Sequence, residues 1–466
     1  MKTKESGLRP VVFMNRVFER QRKLGEDACK ILAKVVESVD SYQCVSKYIQ
    51  FDGQTLILGN KAIQIKDFDR VFLIGFGKAA VPMAKALLDK LGKTISNASV
   101  ITKDERFQKE NENNANLAIY IGGHPVPTES SVRGTRAILN DFPQLTEKDL
   151  VLVVISGGGS ALFTDPIEDV SLNDLQLMTQ ALLKCGADIN EINILRKHLD
   201  QVKGGRLAAR LMPAHVESLI LSDVVGDRLD MIASGPTVED PTTFGDALKV
   251  ISKYNLEEKI PIKILEVLRK GRDGKIQETL KPGQLPPGRV DHHLVGSNYL
   301  AADAAKTLAK SLGYNAIIIT THLTGRSDHL ANLLSNILQT QFVHNHPVEK
   351  PACLIIGGEP TVHVIGGGLG GRNMDLTLRM VPKLSGMQNV LFLSFATDGD
   401  DGPTNAAGAV TDGFVMIEGI ELFDLDVQSY IKDNNSYHYF EKVGGLIKTG
   451  ETGTNVNDII LLMINE

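Results

Sequence analysis

From Leu150 to Ile155 the chain runs through six consecutive apolar residues, then breaks into Ser156-Gly-Gly-Gly-Ser160. A strand with no polar alternation is buried on both faces, and three glycines in a row cannot extend it. The same pattern recurs through the first half of the chain. Val71–Gly75 leads into Gly75-Phe-Gly77-Lys78 and a helical stretch over Ala79–Leu91. Leu117–Ile121 leads into Gly122-Gly123-His124-Pro125-Val-Pro127 and a helical Ser130–Phe142. A helix over Asp174–Cys185 follows Asp149–Ile155, and Ser218–Ser222 reads as a fourth strand. Buried strands alternating with helices predict an α/β fold with a parallel sheet covered on both faces.

The 466 residues exceed the roughly 250–300 at which a single core stops growing, so two domains are expected. The break falls at residues 271–288, where Lys281-Pro-Gly-Gln-Leu-Pro-Pro-Gly cannot hold a ladder. This gives domains over 12–270 and 289–466. The second is also α/β, with a helix over Leu300–Leu312 and strands at Leu294–Gly296, Asn315–Thr320, Ala352–Gly357, Thr361–Ile365, Val390–Ala396 and Asp458–Ile464. Thr361–Ile365 follows its predecessor too closely for a crossover helix, so that pair is expected to form an antiparallel hairpin. Val12–Val39 has helical spacing, and Tyr48–Gly53 with Thr55–Leu58 reads as a hairpin.

Fifty Lys and Arg against 56 Asp and Glu give a net charge of −6, which argues against a nucleic-acid partner. No apolar run approaches the roughly 20 residues of a membrane span. Four scattered cysteines without a CxxC pair read as reduced thiols. The opening residues are basic, but Glu5, Glu19 and Glu26 interrupt them and no apolar signal core follows. A cytoplasmic protein is expected, with a mitochondrial one as the alternative.

The 43 glycines concentrate at strand ends. Gly77 and Lys78 put a cation inside a strand-to-helix turn, and Ser156, Gly157, Gly158, Gly159 and Ser160 make a concave run of N–H and hydroxyl donors suited to phosphate. His124 is held by prolines at another strand end. Arg196, Lys203 and Arg206 form a basic stretch suited to a polyphosphate or a carboxylate. Asp223 and Asp227 stand in a turn where they could bind Mg²⁺ or accept a hydroxyl proton. Later, Glu359 precedes the glycine run Gly366–Gly371, whose glycines imply close approach to a ligand, and which ends in Arg372 and Asn373. Asp398, Asp400 and Asp401 crowd three carboxylates into four residues, a set suited to a hard cation.

In order, the strings GFGKAA, GGHPVP, SGGGSALF, LRKHLDQVKGGRLA, LSDVVGDRLDMIASGPTVEDP, GGEPTV, GGLGGRN, ATDGDDGPTNAAGA and TGTNVND resemble the class II glycerate kinases, whose C-terminal half is called MOFRL. The resemblance implies a Rossmann-like N-terminal domain and a smaller mixed α/β MOFRL-type domain facing each other across the active site. It implies ATP- and Mg²⁺-dependent phosphorylation of D-glycerate, within serine and glycerate carbon metabolism. The family's catalytic cations carry over onto Lys78 and Arg372. The expected roles are then phosphate binding by Gly77 and Ser156–Ser160, and proton acceptance by Asp223 or Asp227. Substrate would be held by His124, Lys203, Arg206 and Asn373, and metal by Glu359, Asp398, Asp400 and Asp401. Expected partners are the small molecules D-glycerate and ATP, with homo-oligomerisation left open. Two other classes remain, an NAD(P)-dependent dehydrogenase and a non-catalytic sugar-phosphate-binding protein. The dehydrogenase is disfavoured because no strand ends in an acidic ribose anchor about 20 residues after GFGKAA.

Overall fold

The structure, a computed structural model, describes residues 8–108 and 117–466. The first basic residues, Lys2 and Lys4, lie outside that range. The chain divides into two compact units, one over Cys44–Val295 and one made from the segment ending at Gln43 together with Gly296–Glu466.

The Cys44–Val295 unit begins with a small antiparallel sheet of β1 (Ile49–Phe51), β2 (Thr55–Leu58) and β3 (Lys61–Gln64), the expected hairpin extended by one strand. Its main sheet contains β4 (Arg70–Phe76), β5 (Ile95–Thr102), β6 (Ala118–Ile121), β7 (Asp149–Ile155), β8 (His215–Leu221) and β9 (Val290–Gly296), in the order β6-β5-β4-β7-β8-β9. The strands from β6 to β8 are all parallel. The chain therefore starts mid-sheet at β4, winds outward to β6, and returns on the other side at β7, the Rossmann order. The carboxyl ends of β4 and β7 flank the crevice where that reversal occurs. Every residue of β7 is buried. Burial contributes about 1.5–3 kcal/mol for each large apolar side chain, so the strand feeding the three-glycine turn is firmly fixed.

Helices Leu172–Lys184, Ile189–His198, Phe244–Lys253 and Ile262–Arg272 share a second apolar cluster built on Met178, Leu195, Phe244 and Leu268. Three of them start at reciprocal caps: Ser171 with Asp174, Asp188 with Glu191, and Thr243 with Asp246. Each cap satisfies N–H groups that a helix start leaves open, at about 1 kcal/mol.

In the other unit the sheet is mixed. Its strands are β10 (Asn315–Arg326), β11 (Ala352–Thr361), β12 (Val390–Ala396), β13 (Gly408–Asp412), β14 (Leu446–Ile447) and β15 (Asp458–Ile464), in the order β10-β11-β15-β12-β13-β14. Only β10 and β11 pair in parallel; the rest are antiparallel.

Several sequence expectations differ from what is observed. β5 was not anticipated, because Ser96, Asn97 and Ser99 interrupt its apolar run; Asn97 and Ser99 are accommodated by contacts to Asp141. No strand forms over residues 361–365. β11 runs through to Thr361 and pairs with β15, while Val364 and Ile365 are exposed in the following loop. The helical stretch over Val12–Val39 is three pieces, Pro10–Phe13, Arg16–Arg20 and Lys23–Ser38, because Asn15 caps the second and Arg22 turns left-handed at φ 48°.

The domain division also falls elsewhere. The segment ending at Gln43 joins the C-terminal strands: helix Lys23–Ser38 packs on helix Asn298–Ser311, Tyr314 donates to Asp27 at 3.2 Å, and Arg20 clamps Asp412 with two bonds. Residues 271–288 do not swing free. Leu280 N–H donates to the Gly204 carbonyl, Thr279 to Asp240, and Phe244 N–H to Glu278. The prolines prevent a ladder, but local hydrogen bonds strap the segment down, and β9 then adds a sixth strand to the first sheet.

Candidate active site

The site in Cys44–Val295 is built at the carboxyl ends of β4 and β7, where ligands of open α/β sheets bind. The two turns are welded together. Lys78 N–H donates to the Gly157 carbonyl at 2.9 Å, Ala79 N–H to Ser156 Oγ at 3.0 Å, and Ser156 N–H to the Phe76 carbonyl at 3.1 Å. Gly77 must be glycine: at φ 122° an added Cβ would stand 2.5 Å from the Ser156 carbonyl oxygen. Gly158 is also left-handed, at φ 80°, and a Cβ there would meet His124 at 2.8 Å and Lys78 Cγ at 3.2 Å. His124, Lys78 and the glycine turn therefore converge on one spot.

The expected hydroxyl donors are already committed. Ser156 Oγ is buried and bridges the turns, while Ser160 Oγ pairs with Ser234 at 2.6 Å. What the turn offers a ligand is backbone. The N–H groups of Gly157 and Gly158 have no protein acceptor among the described residues. Lys78 makes no side-chain hydrogen bond or ion pair among them either, leaving an uncommitted ammonium beside a concave N–H run. Burial, with Lys78 and Lys103 adding repulsion, pushes the His124 pKa down to about 4, so its ring is neutral at pH 7.

A cavity of about 490 Å³ opens beside this turn. Its lining brings together His124, Gly158, Gly159, Ser160, Lys203 and Asp223 from the expected set. Asp223 lies so close to Gly157 that a Cβ there would meet its Oδ2 at 2.0 Å. Asp227 is not in the lining; it occupies a left-handed turn at φ 51°. Arg206 is likewise outside, donating to the Gln277 carbonyl. Lys203 is fully buried and held by Asp200 at 2.6 Å and the Phe163 carbonyl at 3.1 Å. Burial lowers the Lys203 pKa, with Asp200 opposing.

Sequence reasoning missed Asp200, whose spacing three residues before Lys203 was the available signal. It also missed Asn193, and it named Arg196 only as part of the basic stretch while giving the substrate role to Lys203 and Arg206. Asp200, Asn193 and Arg196 all line the cavity.

In the other unit, the expected cation Arg372 heads helix Arg372–Leu384. Its guanidinium is gripped by Asp458 at 2.7 and 3.1 Å and by Glu359 at 2.6 Å, which holds it firmly charged. Burial pushes Asp401 up to about 6, although both its oxygens cap the helix through the N–H groups of Asn373 and Met374. Asn373 is fully buried, donating to Asp401 and accepting from Ser394, so it has no face for substrate. The glycine run before Arg372 closes on protein rather than on a ligand. Gly366 and Gly367 N–H groups donate to Asn434 and Asp433, and a Cβ on Gly368 would strike Asn435 at 2.4 Å.

The four expected metal ligands are thus not equivalent. Asp401 is consumed as a cap and Glu359 as a counter-ion, while Asp398 and Asp400 occupy a turn in which Asp400 N–H donates to Asp398. No three His, Cys, Asp or Glu side chains among the described residues are grouped to hold a metal ion. No helix there is long and apolar enough to cross a membrane.

The chain is similar to known proteins along most of its length. Residues 27–269 match the model described as a domain of unknown function, DUF4147, and residues 352–458 match the MOFRL family. The D-glycerate 2-kinase of Thermotoga maritima is 46% identical over 398 residues, covering 85% of this chain and 91% of that protein. The glycerate 2-kinase of Pyrococcus horikoshii is 39% identical over 440 residues, covering 94% and 97%. The crystal structure of glycerate kinase from Thermotoga maritima superposes with a TM-score of 0.82 at 42% identity, over 96% of this chain and all of that one.

Proposed function

We infer the activity from kinship and site together: the chain belongs to the glycerate kinase family, with a C-terminal MOFRL domain, and it transfers a phosphoryl group from ATP to a hydroxyl of D-glycerate. It is a phosphotransferase with an alcohol acceptor. The observation that carries this reading is the welded pair of turns, where an uncommitted Lys78 stands beside the open N–H groups of Gly157 and Gly158. Neither a dehydrogenase nor a non-catalytic sensor is named among these relatives.

Phosphoryl transfer requires positioning and charge neutralisation rather than covalent help. The open N–H groups of Gly157 and Gly158 hold phosphate oxygens, Gly77 shapes the turn packed against them, and Lys78 offsets charge on the transferring group. Asp223 accepts the acceptor's hydroxyl proton; it lines the cavity, which Asp227 does not. His124 contributes a neutral ring and hence a hydrogen bond. Arg372 is the second cation, a role supported by its GGRN motif and by the two carboxylates that fix its orientation.

Magnesium enters as part of the substrate, MgATP. A resident metal centre does not fit the carboxylates of residues 359–401, since two of the four are committed to other bonds. Mg²⁺ on nucleotide phosphates requires only one or two protein carboxylates, and Asp398 is the candidate of the four. The names of the two microbial relatives support 2-phosphoglycerate as the product.

The deciding experiment supplies ATP, Mg²⁺ and D-glycerate and follows ADP release, with phosphorus NMR of the product. ADP formation that depends on glycerate is expected, with the phosphoryl group on the C2 oxygen. Lys78→Ala should reduce kcat by about 100-fold or more while melting normally, as expected on losing a charge aimed at the transition state. Turnover near wild type in that variant would remove Lys78 from the reaction.

A further inference from the structure

The cavity beside the glycine turn holds a charge that nothing among the described residues answers. Arg196 lies in the last turn of helix Ile189–His198 and lines the cavity, yet its guanidinium has no hydrogen bond or ion pair among the described residues. Burial alone acts on it, disfavouring its charge. Other arginines near buried carboxylates are paired: Arg70 with Asp149, Arg136 with Asp165, Arg372 with Asp458. A partly buried guanidinium without an anion is costly, and such groups are characteristic of sites that receive one.

The neighbouring acids cannot serve it. Asp200, one turn further on, is saturated: Oδ2 accepts from Thr164, Lys203 and Asp165 N–H, and Oδ1 from Val202 N–H. Lys203 is itself a cation whose field acts against that of Arg196. One turn before Arg196, on the same helix face, stands Asn193. Its Oδ1 accepts from Ser234, while its amide N–H₂ faces only the Met231 sulfur at 3.7 Å, a poor acceptor. A planar guanidinium and an under-used amide donor thus look into one cavity, among apolar walls of Leu175, Met178, Val126 and Val224. That is a recognition geometry for a carboxylate.

We propose that Arg196, assisted by Asn193, binds the carboxylate of the acceptor substrate, orienting its hydroxyls for transfer. The proposal rests on the glycerate kinase reading and assigns within it the group that distinguishes a hydroxy acid from a neutral polyol. Lys203, fully committed to Asp200 and Phe163, is then a positioning residue that keeps Asp200 from neutralising Arg196.

The test compares wild type, Arg196→Met, Arg196→Lys and Asn193→Ala, each checked for an unchanged melting temperature. In Arg196→Met the KM for D-glycerate should rise about 10–100-fold, the usual effect of losing a charged hydrogen-bond pair. The KM for ATP should stay within about twofold, and turnover of the uncharged acceptor glycerol should be equal in both proteins. Arg196→Lys should fall between, since it keeps charge but loses the planar fork, and Asn193→Ala should show a smaller rise. A glycerate KM unchanged in Arg196→Met overturns the proposal, as does a rise confined to ATP, which would make the anion a nucleotide phosphate. If the wild type releases no glycerate-dependent ADP, the kinase reading fails by itself. Calorimetric titration with D-glycerate then decides: binding lost in Arg196→Met supports the carboxylate site, and equal or absent binding in both proteins overturns it.

Discussion

His124 illustrates how much a single side chain depends on its surroundings. Burial, reinforced by Lys78 and Lys103, pushes its pKa down to about 4, whereas a histidine in an unfolded chain titrates near about 6.5. Between those values the unfolded chain binds a proton that the folded one refuses. Its contribution to stability is therefore complete above about pH 6.5 and is lost as pH falls toward 4. The imidazole signal that disappears in His124→Gln should accordingly titrate in wild type with a midpoint near 4, and a midpoint near 6.5 would mean that the ring is solvated. Residue chemistry was legible in the sequence; commitment was not. Lys78 and Arg372 look alike as cations in glycine turns, yet one is uncommitted and the other held by Asp458, 86 positions away. Ser156, Ser160 and Asn373 were read as ligand contacts for the same reason, since the protein groups they bond come together only in the fold.

Glycine turns were the most legible elements, because a backbone that needs positive φ or close approach leaves few alternatives to glycine. Their purposes still differ, and two substitutions separate them. In Gly77→Ala the new methyl meets the Ser156 carbonyl at a strained φ of 122°, and backbone cannot easily yield. A loss of about 1–3 kcal/mol in urea unfolding is expected, together with lost activity. In Gly157→Ala the obstacle is the Asp223 carboxylate, which can swing aside. Stability should change little while kcat falls, because the displaced carboxylate is the proposed proton acceptor. Equal stability losses in the two variants would mean that Asp223 is as rigid as the backbone. The glycines of residues 366–371 were read as close approach to a ligand, whereas they pack on Asp433 and Asn435, since nothing local marks which chain will approach. β5 was hidden for a related reason: its polar residues are satisfied by Asp141, some 40 residues on.

At the scale of the molecule, length and strand grammar pointed to two α/β units, and the observed sheets are both α/β. The parentage of the first 43 residues was not legible. An amphipathic helix shows that it must cover something, not what it covers. Ile31, Leu32 and Val35 are fully buried, in the unit that contains helix Asn298–Ser311. Removing residues 1–43 should therefore abolish the unfolding transition of the unit containing β10–β15 while leaving that of Cys44–Val295 in place, as scanning calorimetry or limited proteolysis would reveal. Survival of both transitions would mean that the N-terminal helices only decorate that unit.

The same discontinuity orders events during synthesis. The apolar face of Lys23–Ser38 leaves the ribosome first, but the helix it must meet is encoded after the whole of Cys44–Val295. At about 5–20 residues per second, that interval lasts on the order of half a minute. Throughout it, a contiguous Rossmann-type unit can complete itself while a sticky helix waits beside it unpartnered. Chaperone occupancy on nascent chains should thus peak on this segment and end only as the last strands emerge.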